Sequence, residues 1–297
     1  MEKTGLVLEG GGLRGVFTAG VCDLFLEKGI HFDNCIGVSA GSCHACSYLS
    51  GQHGRAYSVT VDYLDNKDFI SMRNLIRTGN LFGPKMIYHE IPEKLYPIDN
   101  EAFKKCGTAF YATVTNCITG QAEYKRVNDL ISDVEYVQAS SSLPLVSKAL
   151  YFDGIPYLDG GIADSIPIKK SIEMGCTKNV VVLTQPDGFI KTQTRALPLI
   201  ERAYKKYPEM VKSVAQRHIV YNETLEYIHD LEKSGDIFVI RPEFPLNIKT
   251  AEKNKDKLKA AYEHGYEVAK KLYDKLAVYL EAVSYTHLRA HETSAHL

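Results

Sequence analysis

The sequence has no run of about 18 apolar residues, so no membrane-spanning helix is expected. It has no surplus of either charge: Lys and Arg number 35, Asp and Glu 36, and the net charge is -1. A broad nucleic-acid surface would leave a basic domain, so nucleic acid is not an expected partner. The first residues pass from Met1-Glu2-Lys3 straight into Leu6-Val7-Leu8 and then three glycines. That apolar stretch is too short for a signal peptide, and no small-residue cleavage site follows. The expected location is therefore cytoplasmic. Internal repeats and low-complexity tracts are missing as well. Cysteines number seven, an odd count, in core-like contexts such as Cys35-Ile36 and Cys117-Ile118. In a reducing compartment they read as small buried residues. Cys43-His44-Ala45-Cys46 has the C-x-x-C spacing but lacks a second such pair or a spaced histidine pair. No zinc site is expected there, and no other metal or cofactor.

What is present is ordinary globular material: 297 residues, 45% hydrophobic and 24% charged. That length buries a substantial core, as one large domain or two smaller ones. Strand-like apolar runs alternate with helical ones, which predicts an α/β domain. A strand at Leu6–Glu9 leads through a glycine turn into a helix from about Gly15 to Glu27. A second strand is expected at Asn34–Val38. Further strands are expected at about Phe110–Thr115, Ala122–Tyr124 and Val180–Leu183. Leu150–Phe152 and Ile155–Leu158 flank Asp153-Gly154, a hairpin signal. Residues 66–100 are irregular and read as a loop packed on the core, with a lining for an apolar substrate as the sharper reading. Two helical stretches, about 196–233 and 250–283, enclose a last strand at Ile237–Ile240. In the second, Thr250 is the expected N-cap. Leu258, Ala261, Tyr262, Gly265, Ala269, Leu272, Leu276 and Leu280 form a stripe for core packing. Residues 284–297 have no apolar period and are set apart as a disordered or artefactual tail.

Gly37-Val38-Ser39-Ala40-Gly41 is a G-x-S-x-G motif directly after a predicted strand and before a run of small residues. That is the setting of a nucleophile elbow, in which a serine sits on a sharp strand-to-helix turn. A serine nucleophile needs a base. The later histidines outside the tail, His218, His229 and His264, all fall inside predicted helices, so a Ser-His-Asp triad is poorly supported. Asp159 in Leu158-Asp159-Gly160-Gly161 is the better candidate. It ends a predicted strand, and its two glycines leave little bulk around the carboxylate. A carboxylate bonded directly to a serine hydroxyl accepts its proton during attack.

Gly10, Gly12 and Gly15 spell G-x-G-x-x-G after the first strand, the dinucleotide fingerprint. That fold needs an acid ending the second strand to bind a ribose. This second strand ends in Val38-Ser39 instead, and Asp33 lies before it. The loop is better read as an oxyanion hole, with backbone N–H groups of Gly11, Gly12 and Leu13 at a helix N-terminus. Arg14 would brace the loop through a carboxylate or carbonyl; contact with an anionic head group is its lesser role.

Taken together, Gly10-Gly11-Gly12-Leu13-Arg14-Gly15, Gly37-Val38-Ser39-Ala40-Gly41 and Asp159-Gly160-Gly161 resemble, in order and spacing, the patatin-like phospholipases. Ala139-Ser140-Ser141-Ser142-Leu143-Pro144 resembles the family's segment ahead of the aspartate. The likeness covers roughly residues 4–190, and the helical remainder resembles the extension of a bacterial branch of that family. The resemblance implies a three-layer α/β/α fold with a mostly parallel central sheet. It divides the chain into an acyl hydrolase core at 1–190 and a mainly helical extension packed on it at 191–283. It implies a Ser39–Asp159 dyad cleaving fatty-acyl esters, with Gly11, Gly12 and Leu13 as oxyanion donors. Gly10, Arg14, Gly15, Gly37, Gly41, Gly160 and Gly161 would support them. The expected partners are a lipid or fatty-acyl ester and, transiently, a membrane surface. Competing readings are an acyltransferase using the same acyl-enzyme, a lipid-binding protein with a non-catalytic site, and a nucleotide-binding oxidoreductase.

Overall fold

Leu6-Val7-Leu8 forms the centre of a sheet, and the alternation of its side chains sets the layers. In the computed structural model the backbone of residues 2–293 and the side chains of residues 2–281 are described. Strand β1 (Thr4–Leu8) has β2 (Asn34–Val38) on one side and β7 (Lys178–Val182) on the other, all parallel. Strand β3 (Ala109–Asn116) continues the parallel array beyond β2, and β8 (Ile237–Ile240) beyond β7. Three antiparallel strands finish the β3 side: β4 (Ala122–Val127) and β6 (Ile155–Asp159) on β3, and β5 (Leu150–Phe152) on β6. The hairpin between β5 and β6 turns through Asp153 and Gly154, with φ of 51° and 79°. Positive φ at both central residues matches the twist of a two-residue hairpin, which explains the Asp-Gly pair.

Successive side chains of a strand face opposite sides, so each central strand feeds two cores. Leu6, Leu8, Val180, Val182 and Ile240 point into one. That core is covered by α1 (Val16–Glu27), α2 (Ala40–Leu49) and α10 (Lys255–Thr293). Val7, Val181 and Val239 point into the other, under α7 (Ile168–Glu173) and α9 (Pro208–Ser234). The fold is thus three layers, α/β/α, around a mostly parallel sheet. The expected strands and the hairpin all form, with ends moved by a few residues. The expected apolar stripe is core: Leu258, Ala269 and Leu276 of α10 are fully buried. Strand β8 and helix α10, both beyond residue 190, complete the sheet edge and the first core.

Two local expectations are corrected. Residues 66–100 are not one loop, because they hold α4 (Met72–Thr78) and a π-helix, Met86–Leu95. Thr250 does not cap α10, which starts five residues later. Asn254 does so, its Oδ1 accepting the Lys257 amide at 3.0 Å. Thr250 lies against the glycine loop instead, next to Gly12. The tail at 284–297 lies beyond the described side chains, and its last residues, 294–297, lie outside the described residues altogether.

Candidate active site

The sheet register brings Ser39 and Asp159 to one level. Val38, which ends β2, pairs with Thr113 of β3, and the next β3 residue, Val114, pairs with Asp159. Strand β3 overruns β2, and β6 pairs with the overhang from the opposite direction, so it stops where β2 stops. One strand therefore separates the two residues.

Ser39 occupies the step from β2 to α2 with φ 53° and ψ -124°, a conformation that L-residues rarely adopt. Such strain persists only when surroundings over-determine it. Here the Ser39 amide donates to Ser140 Oγ at 2.9 Å, and the amides of Ser42 and Cys43 both turn back to the Ser39 carbonyl. Crowding explains the flanking glycines. A Cβ at Gly41 would collide with the Leu8 carbonyl, and one at Gly10 would lie 2.9 Å from Ser39 Cβ. Gly37 backs onto Ser42, Gly15 onto Ala40 and His44, and Gly160 onto the Thr113 carbonyl.

Asp159 is buried directly behind the serine. Its Oδ1 accepts the Gly161 amide at 2.8 Å, and its Oδ2 has no partner. Burial raises the carboxyl above the ordinary Asp range, opposed by the Arg217 guanidinium, the Ser39 hydroxyl and the Gly161 amide. The hydroxyl thus sits near enough to favour the carboxylate, while no Ser39–Asp159 hydrogen bond of ordinary geometry is closed. The histidines of the sequence motifs are placed differently. His44 lies near Ser39, but burial pushes its imidazole down to about 4. No hydrogen bond joins it to Ser39 among the described residues. His218, His229 and His264 sit in α9 and α10, and the amide of Glu243 donates to His264 at 3.1 Å.

An apolar cavity of about 180 Å³ opens beside the serine, lined by Ser39, Gly12 and Leu13 together with Phe69, Phe82 and Ile87. The irregular segment thus contributes lining residues, as its sharper reading expected. Of the three expected oxyanion donors, Gly12 and Leu13 face this cavity. Gly11 does not; it packs against Thr184, whose Oγ1 a Cβ there would meet at 2.9 Å. The Leu13 amide donates to the Thr250 carbonyl at 3.4 Å, the long limit for such a bond.

The expected brace, Arg14, closes no ion pair or side-chain hydrogen bond among the described residues, and its Nε is buried without a partner. The brace is Glu9, which the motif reading passed over. Its Oε2 accepts the Thr184 amide at 2.6 Å and the Thr184 hydroxyl at 3.1 Å, and its Oε1 accepts the Tyr221 hydroxyl at 2.7 Å. One buried carboxylate thereby ties the start of the glycine loop to the segment just after β7 and to α9. A charged residue ending an otherwise apolar strand was the available signal. No helix among the described residues is long and apolar enough to cross a membrane.

Two family models match the chain. One, described as patatin-like phospholipase, matches residues 6–171, a span that contains the glycine loop, Ser39 and Asp159. The other, a domain of unknown function (DUF6363), matches residues 207–281. Among curated proteins, uncharacterized protein YjjU of Escherichia coli strain K12 is 29% identical over 255 residues, 82% of this chain and 70% of that protein. Lysophospholipase NTE1 of Saccharomyces cerevisiae is 28% identical over 181 residues, 59% of this chain and 10% of the yeast protein. The match therefore spans about a tenth of that relative's length. The solved structure of VipD from Legionella pneumophila aligns with a TM-score of 0.48 at 13% identity, over 93% of this chain and 67% of that one.

Proposed function

The chain belongs to the patatin-like phospholipase family, and we propose that it hydrolyses fatty-acyl esters of lipids through a Ser39–Asp159 dyad and a covalent acyl-enzyme. The observation that carries this reading is the unpartnered Oδ2 of buried Asp159 behind a strained Ser39 at the wall of an apolar cavity.

In the proposed cycle, Ser39 Oγ attacks the ester carbonyl and its proton passes to Asp159 Oδ2. A carboxyl raised above its ordinary range is a stronger base than a solvated one, closer to the pH at which it works. The developing oxyanion meets the amides of Gly12 and Leu13. An anion outcompetes the long Thr250 contact, because charge-assisted hydrogen bonds are shorter and stronger. The N-terminus of α2 adds its dipole. The alcohol leaves with the proton from Asp159. Water then attacks the acyl-enzyme, Asp159 takes its proton, and Ser39 is restored as the fatty acid departs. Met72 and Ile76 stand exposed on α4, whose flanking residues Phe69 and Asn80 line the cavity. They would meet a lipid surface first, in a transient contact.

The test compares wild type with Ser39→Ala on p-nitrophenyl esters of increasing chain length, alongside labelling by a fluorophosphonate probe. Wild type is expected to turn over and label, and Ser39→Ala to do neither. Equal rates for the two proteins would sink the proposal.

A further inference from the structure

The cavity wall follows α2 away from the nucleophile: Ser39, Ala40, Cys43 and Cys46 line it in chain order. Arg55, the first residue of α3 (Arg55–Val61), also lines it and is 4% exposed. Its Nη1 donates to Ser47 Oγ at 3.0 Å and its Nη2 to the Tyr96 carbonyl at 2.8 Å. The guanidinium lies 5.6 Å from the centroid of the Tyr96 ring. Its Nε is buried with no partner. No carboxylate comes within ion-pair distance of it among the described residues. A buried cation without a counter-ion is costly, and an unsatisfied buried donor calls for an explanation.

We propose that Arg55 receives the acidic far end of an acyl chain whose ester carbonyl lies at Ser39. The preferred substrates would then be esters of chains ending in a carboxylate. Ser47, which Arg55 holds, follows Ser39 by eight residues on α2, so the two lie about 12 Å apart along the axis at ~1.5 Å per residue. An extended chain advances about 1.2 Å per bond, as an extended backbone does. The span therefore corresponds to about ten bonds, a chain of roughly ten carbons. Cys43, Cys46, Ala56, Val59 and Ile98 give the cavity wall sulfur and hydrocarbon, with the polar side chains of Thr60, Tyr88 and Ser141 among them. Methylene groups suit that wall. The inference rests on the acyl-hydrolase reading above.

The test uses the full chain and two p-nitrophenyl esters, the monoester of decanedioic acid and the decanoate. Wild type is expected to show at least tenfold higher kcat/KM for the acidic ester, and Arg55→Met to bring that ratio to one or below. Because Arg55 is buried and its variant risks misfolding, a chain-length scan of the acidic monoesters on wild type alone gives a second reading. The ratio over the neutral ester is expected to peak near ten carbons and fall for six and fourteen. A flat ratio in wild type, or one that survives in a folded Arg55→Met, overturns the proposal. So does a preference for lysophosphatidic acid over a monoacylglycerol with no preference at the chain end, which would place the anion on the leaving group. Hydrolysis of neither ester overturns the acyl-hydrolase reading itself, whereas equal hydrolysis of both overturns this inference alone.

Discussion

Ser140 Oγ accepts the backbone amide of Ser39 at 2.9 Å and lies 2.9 Å from Ser42 Oγ. A fully buried hydroxyl on the last turn of α6 (Val134–Ser140) thus pins the elbow from 101 residues away. Replacing it by Ala leaves a buried amide unsatisfied, a loss of about 1–3 kcal/mol. Ser140→Ala is expected to lower the urea midpoint by a matching amount and to reduce kcat with KM little changed. A variant as stable and as fast as wild type would show that the elbow holds itself.

Asp159→Asn is expected to abolish turnover and raise stability. The folded-state pKa of Asp159 lies above its ordinary value because of burial. The folded protein therefore holds that proton more tightly than the unfolded chain does. Its contribution to stability is fully present below the ordinary Asp value and is lost as pH rises through the folded value. At neutral pH the asparagine removes that penalty, so the variant should melt higher than wild type, with the gap closing on acidification. An asparagine variant that keeps turnover would rule out the dyad.

In the proposed mechanism the same carboxyl sets the acid limb of the pH–rate profile. Wild-type kcat/KM should fall as pH drops through a pKa above the ordinary Asp range. Arg217 acts on Asp159 to lower it, so Arg217→Met should move that limb to higher pH. An unmoved limb in a folded variant would remove Arg217 from the account.

Gly10→Ala sets a methyl group 2.9 Å from Ser39 Cβ and 3.0 Å from the Val38 carbonyl. The serine has to shift, and a displacement near 1 Å costs about a hundredfold in rate. Turnover and fluorophosphonate labelling should fall together by about that factor, with the circular dichroism spectrum unchanged.

The parts of the site that were legible in the sequence are those fixed by neighbours in the chain. The elbow and the Asp159 turn each rest on adjacent small residues, because the crowding they relieve is local. Short apolar runs and turn residues likewise marked β2, β8 and the β5–β6 hairpin. What the sequence left hidden depends on pairing across long separations. Glu9 meets Tyr221 from 212 residues away, and nothing beside it announces the partner. Thr250 has the chemistry of a helix cap, yet its carbonyl is taken by Leu13 and the cap passes to Asn254. Arg14 was assigned a brace by motif, and the nearer carboxylate had already taken that position.

Helices α1 and α10 approach so closely that a Cβ at Gly20 would collide with the Tyr262 carbonyl, and one at Gly265 with the Phe17 carbonyl. The core between them joins Phe17 and Leu24 to Ala269 and Leu276. In the order of synthesis Gly265 follows Gly20 by 245 residues. At 5–20 residues per second that is an interval of roughly 12 to 50 s. By its end the emerging chain holds the glycine loop, Ser39 and Asp159, but not yet the whole helix that covers α1. The first core therefore closes only after nearly all of the chain described here has been made, and a nascent-chain holdase has that long to find the apolar face of α1.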